Sequence, residues 1–334
     1  MKKALKIAAA LIAAAAVITG GTFIIMDKNT EKLVGNVSFE DTDTKDKDVI
    51  YFLNTGSSDA ILIQSQGHFA MIDAGEDNDN PRGFANLEYT GYEQEILEFL
   101  KKTAADENGR VHLDFVLGTH SHSDHIGGFD TIINDENVFI DKAFLKEYHS
   151  ENINDKEVRE WDNQEVYDQM VNALNQKAVP IISEISSEPF KFGNFTLTIL
   201  NTDYDNRSEK IGENDNSLVV LAEKDGCKAL LTGDLDNYNH DEEKVGELVG
   251  KVDLLKVGHH SYSHSSEKKF LTAVQPKVSV ITNSYKGSDK RTLRRIAKYT
   301  DSKIIFTNDE CGIAAVFEHN EIHYKNNFGI EKKY

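Results

Sequence analysis

Three histidines and one aspartate lie close together in the sequence His120-Ser121-His122-Ser123-Asp124-His125. The apolar residues 113–117 precede this cluster and predict a buried strand. If the chain stays extended beyond that strand, His120, His122 and Asp124 point to one side, because side chains alternate along a strand. Neutral imidazoles and carboxylates are ligands that suit Zn²⁺. The cluster therefore predicts a metal site, and the number of ligands allows more than one ion.

Two further groups of possible ligands follow predicted strands later in the chain. Asp234 comes after the run 228–231, and His259 and His260 come after the run 252–257. Functional residues of α/β proteins collect at strand ends, so these side chains are candidates to meet the first cluster. An aspartate after Thr-Gly is also common in ordinary turns, whereas two successive histidines are harder to explain in that way. One bridging carboxylate would complete ligand sets for two ions.

The elements around these residues predict two sheets with helices outside. Three short strands at 49–53, 60–63 and 69–72 are separated by turn residues and predict an antiparallel meander. Residues 138–144 predict one strand and residues 156–177 one long helix. Strands alternate with helices in the second half of the chain, and a hairpin at 312–325 ends it. Such a mixture favours an α/β (α+β) domain of two sheets packed face to face.

The chain resembles the hydrolases of the metallo-β-lactamase fold, whose signature His-x-His-x-Asp-His corresponds here to His120–His125. More narrowly, it resembles the extracellular hydrolase domain of the competence DNA-uptake channel proteins (ComEC-like). The segments that carry this resemblance extend over about residues 49–285 and are 54–63, 72–75, 214–219, 231–234 and 256–261.

The resemblance implies an αββα sandwich with a binuclear metal site at one edge of the sheets, which would hold two Zn²⁺ ions or, as the alternative, Mn²⁺. The first ion is expected on His120 and His122, the second on Asp124, His125 and His259, with Asp234 as the bridge. Asp59, Asp73 and Gly75 would then be structural or would orient the ligands. The family's further histidine for the first ion is missing, because residues 213–217 read Glu-Asn-Asp-Asn-Ser. Water, Asn214 or Asp215 would have to complete that site, or it would bind its ion more weakly.

The amino terminus differs from the rest of the chain. Lys2, Lys3 and Lys6 precede residues 7–26, which carry no charge and are long enough to cross a bilayer as a helix. We expect residues 1–26 to be a signal peptide or membrane anchor, residues 27–48 a polar linker, and residues 49–334 the hydrolase domain. The protein would then act outside the cell or at its surface. The two cysteines, Cys227 and Cys311, do not form a disulfide scaffold.

The expected activity is metal-dependent hydrolysis in which a metal-bound hydroxide attacks a phosphodiester. Asp124 would act in catalysis as a ligand. His260 would donate a proton to the leaving group, or would only support a neighbouring ligand. The substrate would be a nucleic acid or a cell-wall polymer. A net charge of −19 repels polyanions unless metal ions or a local basic patch offset it.

Three other functions remain open at this point. An esterase acting on a phosphorylcholine-bearing wall polymer would suit an acidic surface, because that substrate carries a cation. Hydrolysis of a β-lactam is a further enzymatic alternative. A metal-stabilised binding module without catalysis would follow if the missing histidine leaves the site unable to activate water. Metal content and turnover of the purified protein would separate the enzymes from the binding module.

Overall fold

The computed structural model describes residues 33–78, 90–203, 210, 212–328 and 330. Within them, two mixed sheets pack face to face and helices cover both outer surfaces, so the predicted αββα sandwich is confirmed. One sheet has eight strands in the order β17-β16-β1-β2-β3-β5-β7-β8, and the other has seven in the order β15-β14-β13-β12-β11-β10-β9. A separate pair, β4 and β6, lies beside the first sheet.

The strands of the first half are β1 (Val49–Phe52), β2 (Ala60–Ser65), β3 (His68–Ala74), β4 (Val111–Leu113), β5 (Phe115–Gly118), β6 (Val138–Ile140), β7 (Ala143–Leu145) and β8 (Ile181–Ile182). Those of the second half are β9 (Phe190–Phe192), β10 (Phe195–Leu200), β11 (Val219–Lys224), β12 (Cys227–Leu231), β13 (Leu254–Lys256), β14 (Val278–Ile281), β15 (Lys303–Phe306), β16 (Ile313–Glu318) and β17 (Glu321–Asn326). The helices are α1 (Glu93–Ala104), α2 (Ser123–Ile126), α3 (Phe129–Asn134), α4 (Asp155–Glu160), α5 (Asn163–Gln176), α6 (Asp241–Val249), α7 (Lys268–Val274), α8 (Lys290–Tyr299) and α9 (Thr307–Glu310).

The apolar character of the strands follows from burial on both faces. In β1, Ile50 and Phe52 face the second sheet, while Val49 and Tyr51 face the helices outside. Because neighbouring side chains alternate between faces, a strand covered on both sides is apolar throughout. β1, β2 and β3 pair antiparallel in sequence order, which confirms the predicted meander.

Three predicted elements are each divided in the structure. The run 113–117 belongs partly to β4 and partly to β5, which lie in different sheets. The single strand expected at 138–144 is β6 and β7, and the long helix expected at 156–177 is α4 and α5, broken at Trp161 and Asp162. In each case an uninterrupted sequence pattern continues across a change of direction, because apolar periodicity reports burial and not chain direction.

Part of the expected linker lies against the domain. Val34 forms a bridge to Ile304, Phe39 forms one to Tyr324, and Lys47 makes a 2.7 Å ion pair with Glu318. Residues 33–48 are therefore packed along the sheet edges and do not hang free. Across the part of the chain that the structure describes, no helix is long and apolar enough to cross a bilayer. The predicted signal peptide or anchor at 1–26 falls outside the described residues.

Candidate metal centre

The candidate site lies where strands of both sheets end. β5 leads into the histidine cluster, β12 into Asp234, and β13 into His259 and His260. The chain is extended only as far as His122, with φ −95° and ψ 148°, and Asp124 and His125 then belong to helix α2. The expectation of an extended chain through Asp124 is therefore corrected. The helical turn directs Asp124 and His125 towards residues that follow the second sheet.

Four side chains bring their ligand atoms within 4.8 Å of one another, namely Asp124, His125, Asp234 and His260. Nε2 of His125 lies 3.1 Å from Nε2 of His260, and both nitrogens lie 3.2 Å from Oδ2 of Asp234. Nε2 of His260 is also 3.4 Å from Oδ2 of Asp124. Two ring nitrogens and two carboxylates therefore converge on one point, and both histidines are fully buried.

The structure exchanges the expected positions of His259 and His260. His260 joins the ligand group, whereas His259, expected to be a ligand, is half-buried and lines the pocket beside it. The cause is a left-handed backbone through His259, His260 and Ser261, whose φ angles are 51°, 46° and 67°. Left-handed residues direct their side chains differently from extended ones, so the order along the chain does not indicate which histidine faces inward.

His120 and His122 form a second pair of nitrogens. Nε2 of His120 lies 3.0 Å from Nδ1 of His122, so these atoms approach each other as two ligands of one ion would. The other ring nitrogen of His122 lies 2.9 Å from Oε1 of Glu157, in helix α4. Glu157 also accepts hydrogen bonds from the backbone N–H of Glu213 and from the side chain of Asn163. It thereby fixes the orientation of His122.

Buried partners likewise hold His125 and His260 in place. Nδ1 of His125 lies 2.8 Å from Oδ2 of Asp73, and Nδ1 of His260 lies 3.0 Å from the hydroxyl of Thr282 and 3.3 Å from Asp59. A ring nitrogen bound in this way leaves the opposite nitrogen free to bind a metal. Asp59 and Asp73, expected to be structural or to orient ligands, do contact the histidines of the group.

Lys256 is a buried cation beneath the site, and the sequence analysis missed it. Its side chain is fully buried, lies 3.4 Å from Oδ1 of Asp234 and forms an ion pair with Asp59. It also donates a 2.7 Å hydrogen bond to the carbonyl of Gly233. A lysine within a short strand followed by two histidines was the available signal, since a central strand buries every side chain it carries.

The electrostatics separate the histidines into two kinds. Burial, together with neighbouring imidazoles, holds the pKa of His120 well below its usual range. Burial also lowers the pKa of His259, to about 4. For His125 and His260 burial acts in the same direction, but nearby carboxylates, Asp234 foremost, outweigh it and raise the pKa of His125 to about 10 and that of His260 well above the usual value. The carboxylates therefore favour positive charge at the position of His125 and His260.

The region without the expected histidine forms a short 3₁₀ helix, Glu213–Asn216, against the site. Ser217, directly after it, lies with its hydroxyl 3.3 Å from Nδ1 of His120. The amide of Asn214 lies 3.3 Å from both ring nitrogens of His259. Asn214 therefore contacts His259, and Asp215 is not among the four residues whose ligand atoms converge.

A small pocket of about 110 Å³ opens onto these residues. Its described lining combines site residues with two aromatic side chains and one further acid, and consists of Ser57, Glu76, His122, Ser123, Asp124, Trp161, Asp234, His259 and Tyr262. The ring of Trp161 stacks on His122 with centroids 4.9 Å apart, and the hydroxyl of Tyr262 lies 3.1 Å from the Ser57 hydroxyl. The pocket is thus walled on two sides by aromatic rings.

The donor set fits a divalent metal ion such as Zn²⁺. Oδ1 of Asp124 is buried and has no hydrogen-bond partner within the described part of the chain, which is costly unless a cation or water occupies its lone pairs. Imidazole nitrogens supported by carboxylates on their far side are the usual form of a zinc ligand. The convergence of four such ligand atoms and the orphaned oxygen both agree with metal binding.

Comparisons with known proteins agree with this geometry. The family model of the beta-lactamase superfamily domain matches residues 71–275, more than half of the chain. ComE operon protein 3 of Bacillus subtilis is 25% identical over 199 residues, which cover 58% of this chain and 23% of the relative. Recombination protein 2 of Haemophilus influenzae is 25% identical over 254 residues, which cover 74% and 26%.

The chain spans about a quarter of the length of these two relatives. Among solved structures, the metallo-beta-lactamase fold protein YhfI from Bacillus subtilis superposes with a TM-score of 0.50 at 12% identity. The superposition covers 81% of this chain and 100% of that one. It supports the fold, and it says nothing about substrate.

Proposed function

The chain belongs to the metallo-β-lactamase superfamily of hydrolases, and on this premise we propose that it is a binuclear metal-dependent phosphodiesterase. One observation carries the proposal. The ligand atoms of Asp124, His125, Asp234 and His260 converge within 4.8 Å, directly beside the nitrogen pair of His120 and His122. A site with this many oriented ligands is suited to two ions, and paired ions are suited to phosphate chemistry.

We assign the ligands from the atoms that converge. His120 through Nε2 and His122 through Nδ1 would hold the first ion. The second ion would be held by Asp124 and by the Nε2 atoms of His125 and His260. Asp234 would be shared between the ions. This assignment replaces His259 by His260 in the ligand set. Zn²⁺ suits these nitrogen-rich ligands, and Mn²⁺ suits the oxygen-richer part of the set.

When bound, the ions would lower the pKa of water and offset the charge of the phosphate. Hydrolysis adds the water oxygen to phosphorus and breaks the bond to the leaving oxygen, which takes a proton. His259 is neutral near pH 7, because burial lowers its pKa to about 4, and it lines the pocket. It would therefore donate an N–H hydrogen bond to a phosphate oxygen. Asn214 would hold its ring in place from 3.3 Å.

The choice of a phosphodiester as substrate is supported by the name of a relative, and the charge of the pocket makes it depend on bound cations. One of the two relatives is named a recombination protein, which supports a substrate of nucleic-acid type. The pocket itself is lined by carboxylates, and no lysine or arginine occurs among its described lining residues. An anionic phosphate would enter such a pocket only when cations are bound there.

A hydrolysis screen tests the proposal. The purified protein with Zn²⁺ or Mn²⁺ should hydrolyse bis(p-nitrophenyl) phosphate, and His122→Ala and Asp124→Ala should each abolish turnover because they remove a ligand. Nitrocefin should not be cleaved. Turnover of nitrocefin alone, or full phosphodiesterase activity in both variants at saturating metal, would contradict the proposal.

The pocket walls favour one alternative substrate. Trp161, Tyr262 and Glu76 line the pocket together, and aromatic faces beside a carboxylate attract a quaternary ammonium group. A phosphorylcholine ester of a wall polymer would place its phosphate on the metals and its cation against these rings. Faster hydrolysis of p-nitrophenylphosphorylcholine than of bis(p-nitrophenyl) phosphate, lost in Trp161→Ala, would establish this alternative.

We also propose that the enzyme acts outside the cytoplasm. The support is the lysine-flanked apolar stretch at 7–26, which has the length and charge of a signal or anchor. Fractionation of cells that express the full chain would test this, since the protein should appear in the membrane or the medium and not in the cytosol.

A further inference from the structure

One short segment carries a charge opposite to that of the whole chain. The net charge is −19, yet residues 286–298 contain six basic residues and a single acid. We refer to these six, Lys286, Lys290, Arg291, Arg294, Arg295 and Lys298, as the basic segment. Its concentration of charge creates a local positive field on an acidic protein.

The basic segment lies in helix α8 and in the turn before it. Thr292, Leu293 and Ile296 are buried and fix the helix against the second sheet. Because the buried residues occupy one face, the basic side chains lie on the remaining faces. Lys286, Arg291 and Lys298 are exposed, and the other three are half-buried.

The basic segment begins against the wall of the candidate site. The backbone N–H of Asp289 donates a 3.2 Å hydrogen bond to the carbonyl of Ser261, and the hydroxyl of Thr292 donates one of 3.1 Å to the carbonyl of Tyr262. Ser261 directly follows the inward histidine His260, and Tyr262 lines the pocket. The amino-terminal end of helix α8 therefore contacts the loop that carries Tyr262.

Two exposed tyrosines lie on the Tyr262 loop and on the loop hydrogen-bonded to it. Tyr262 is 39% exposed, and Tyr238 is 64% exposed and stacks on His264 with ring centroids 4.9 Å apart. The backbone N–H of Asn237 donates a hydrogen bond to the carbonyl of His264, which joins the loops that carry these rings. Exposed rings next to a basic track are the combination that binds single-stranded nucleic acid, because bases stack on the rings and phosphates follow the charges.

We infer that the basic segment is a docking track for single-stranded nucleic acid, which delivers its backbone to the pocket beside Tyr262. This inference rests on the proposed phosphodiesterase function and names its substrate class. All candidate ligands except the half-buried Asp124 are buried, so a scissile phosphate must enter the small pocket. A flexible single strand can bend its backbone inward where a stiff duplex cannot. A phosphorylcholine group, by contrast, is zwitterionic, so a basic track attracts its phosphate, repels its cation and provides little net attraction.

Neighbouring acids reduce the charge that some of these residues offer. Arg291 makes a 2.7 Å ion pair with Asp289, and Arg295 lies 3.5 Å from Glu267 and donates hydrogen bonds to the carbonyls of Ser265 and Ser266. Arg295 therefore has a structural role and is left intact in the test. The three exposed positions can be changed without disturbing the buried face of the helix.

The test measures binding of a fluorescently labelled DNA single strand by anisotropy, with the Zn²⁺-loaded protein and a strand whose phosphorothioate linkages resist cleavage. The variant combines Lys286→Gln, Arg291→Gln and Lys298→Gln. It should bind about tenfold more weakly than the wild type, and the dependence of log Kd on log salt should fall by about 2, since each phosphate contact contributes about 0.7 to 1. A DNA duplex should bind more weakly than the single strand.

The matched control combines Lys102→Gln, Lys251→Gln and Lys303→Gln, which removes the same charge from exposed positions outside the basic segment. The control should bind DNA like the wild type. Equal weakening by both triple variants, or tighter binding of the duplex, would overturn the inference.

Hydrolysis of bis(p-nitrophenyl) phosphate separates this inference from the proposed function. All three proteins should hydrolyse it with the same kcat/KM, because the small substrate does not reach the basic segment. If the wild type hydrolyses it and DNA binding is the same in all three, the docking track is refuted and the enzyme stands. If no protein hydrolyses it with Zn²⁺ or Mn²⁺, the proposed function fails, whatever the DNA binding shows.

Discussion

Lys256 and Asp234 face each other inside the protein, with the lysine ammonium 3.4 Å from Oδ1 of the carboxylate. The other oxygen of Asp234, Oδ2, lies 3.2 Å from both His125 and His260. The carboxylate is therefore divided between a permanent cation on one side and the candidate metal position on the other. Oδ2 is therefore the oxygen of Asp234 that would be available to a metal ion.

Replacing Lys256 by Met should destabilise the protein strongly. The change leaves the carboxylates of Asp59 and Asp234 buried without their cation, and breaking a buried ion pair in this way costs about 3–5 kcal/mol. Urea unfolding of the metal-free protein measures the loss. Lys251→Met, at an exposed position, should change the free energy of unfolding by less than about 0.5 kcal/mol. A small effect at Lys256 would mean that the two carboxylates are not charged in the folded protein.

His260→Ala and His259→Ala should impair the protein in different ways, the first through metal binding and the second through turnover. His260→Ala removes a ligand, so the metal content of the purified protein should fall. His259→Ala should keep its metal and lose about 10²-fold in kcat, the typical cost of losing one hydrogen-bond donor to the transition state. His259→Gln, which retains an N–H donor, should recover part of that loss. If the His259 variant loses its metal and the His260 variant keeps it, His259 is the ligand and His260 is not, as expected from the sequence.

Glu157→Gln should weaken metal binding without removing a ligand. Glu157 lies 2.9 Å from the outer nitrogen of His122, and loss of such support typically costs about 10- to 100-fold in metal affinity. Competition with a coloured chelator measures the Zn²⁺ affinity. Glu160→Gln lies in the same helix at an exposed position and should bind Zn²⁺ normally. Equal affinities in the two variants would show that Glu157 only holds the backbone at Glu213 and does not support His122.

Metal removal should proceed in two steps. The first ion would have two nitrogen ligands and a shared carboxylate, whereas the second would have two nitrogens and two carboxylates, so the first should leave earlier. Dialysis against a weak chelator, followed by metal analysis and assay, should show activity falling with the first loss. Mn²⁺ should restore activity at least as well as Zn²⁺. Simultaneous loss of both ions would contradict the unequal ligand sets.

The sequence indicated the candidate ligands that stand next to one another, and it gave no sign of some of the residues that contact them from other elements. His120, His122, Asp124 and His125 are recognisable because their spacing is local, and Asp234 because it ends a strand. Glu157 gave no comparable signal. It reaches His122 from another helix, and helical acids are ordinarily solvent-exposed, so only the packing of α4 against the site reveals its function.

The exchange of His259 and His260 has a different origin. Both residues adopt left-handed backbone angles, and non-glycine residues do so rarely, so no sequence pattern announces them. The basic segment shows the reverse case. Its charges were visible in the sequence, but the helix that carries them had to be placed beside Tyr262 before they could be connected with the site.

The candidate ligands come from both sheets, and His125 and His260, whose ring nitrogens lie 3.1 Å apart, are separated by 135 positions along the chain. Neither half of the molecule contributes the whole candidate ligand set, so the complete site would form only after the two sheets have docked. Metal loading of the complete site would then follow folding. If the chain folds after export, the proposed enzyme would take its metal from the supply outside the cell, and its activity would follow the zinc or manganese available there and not the stores of the cytoplasm.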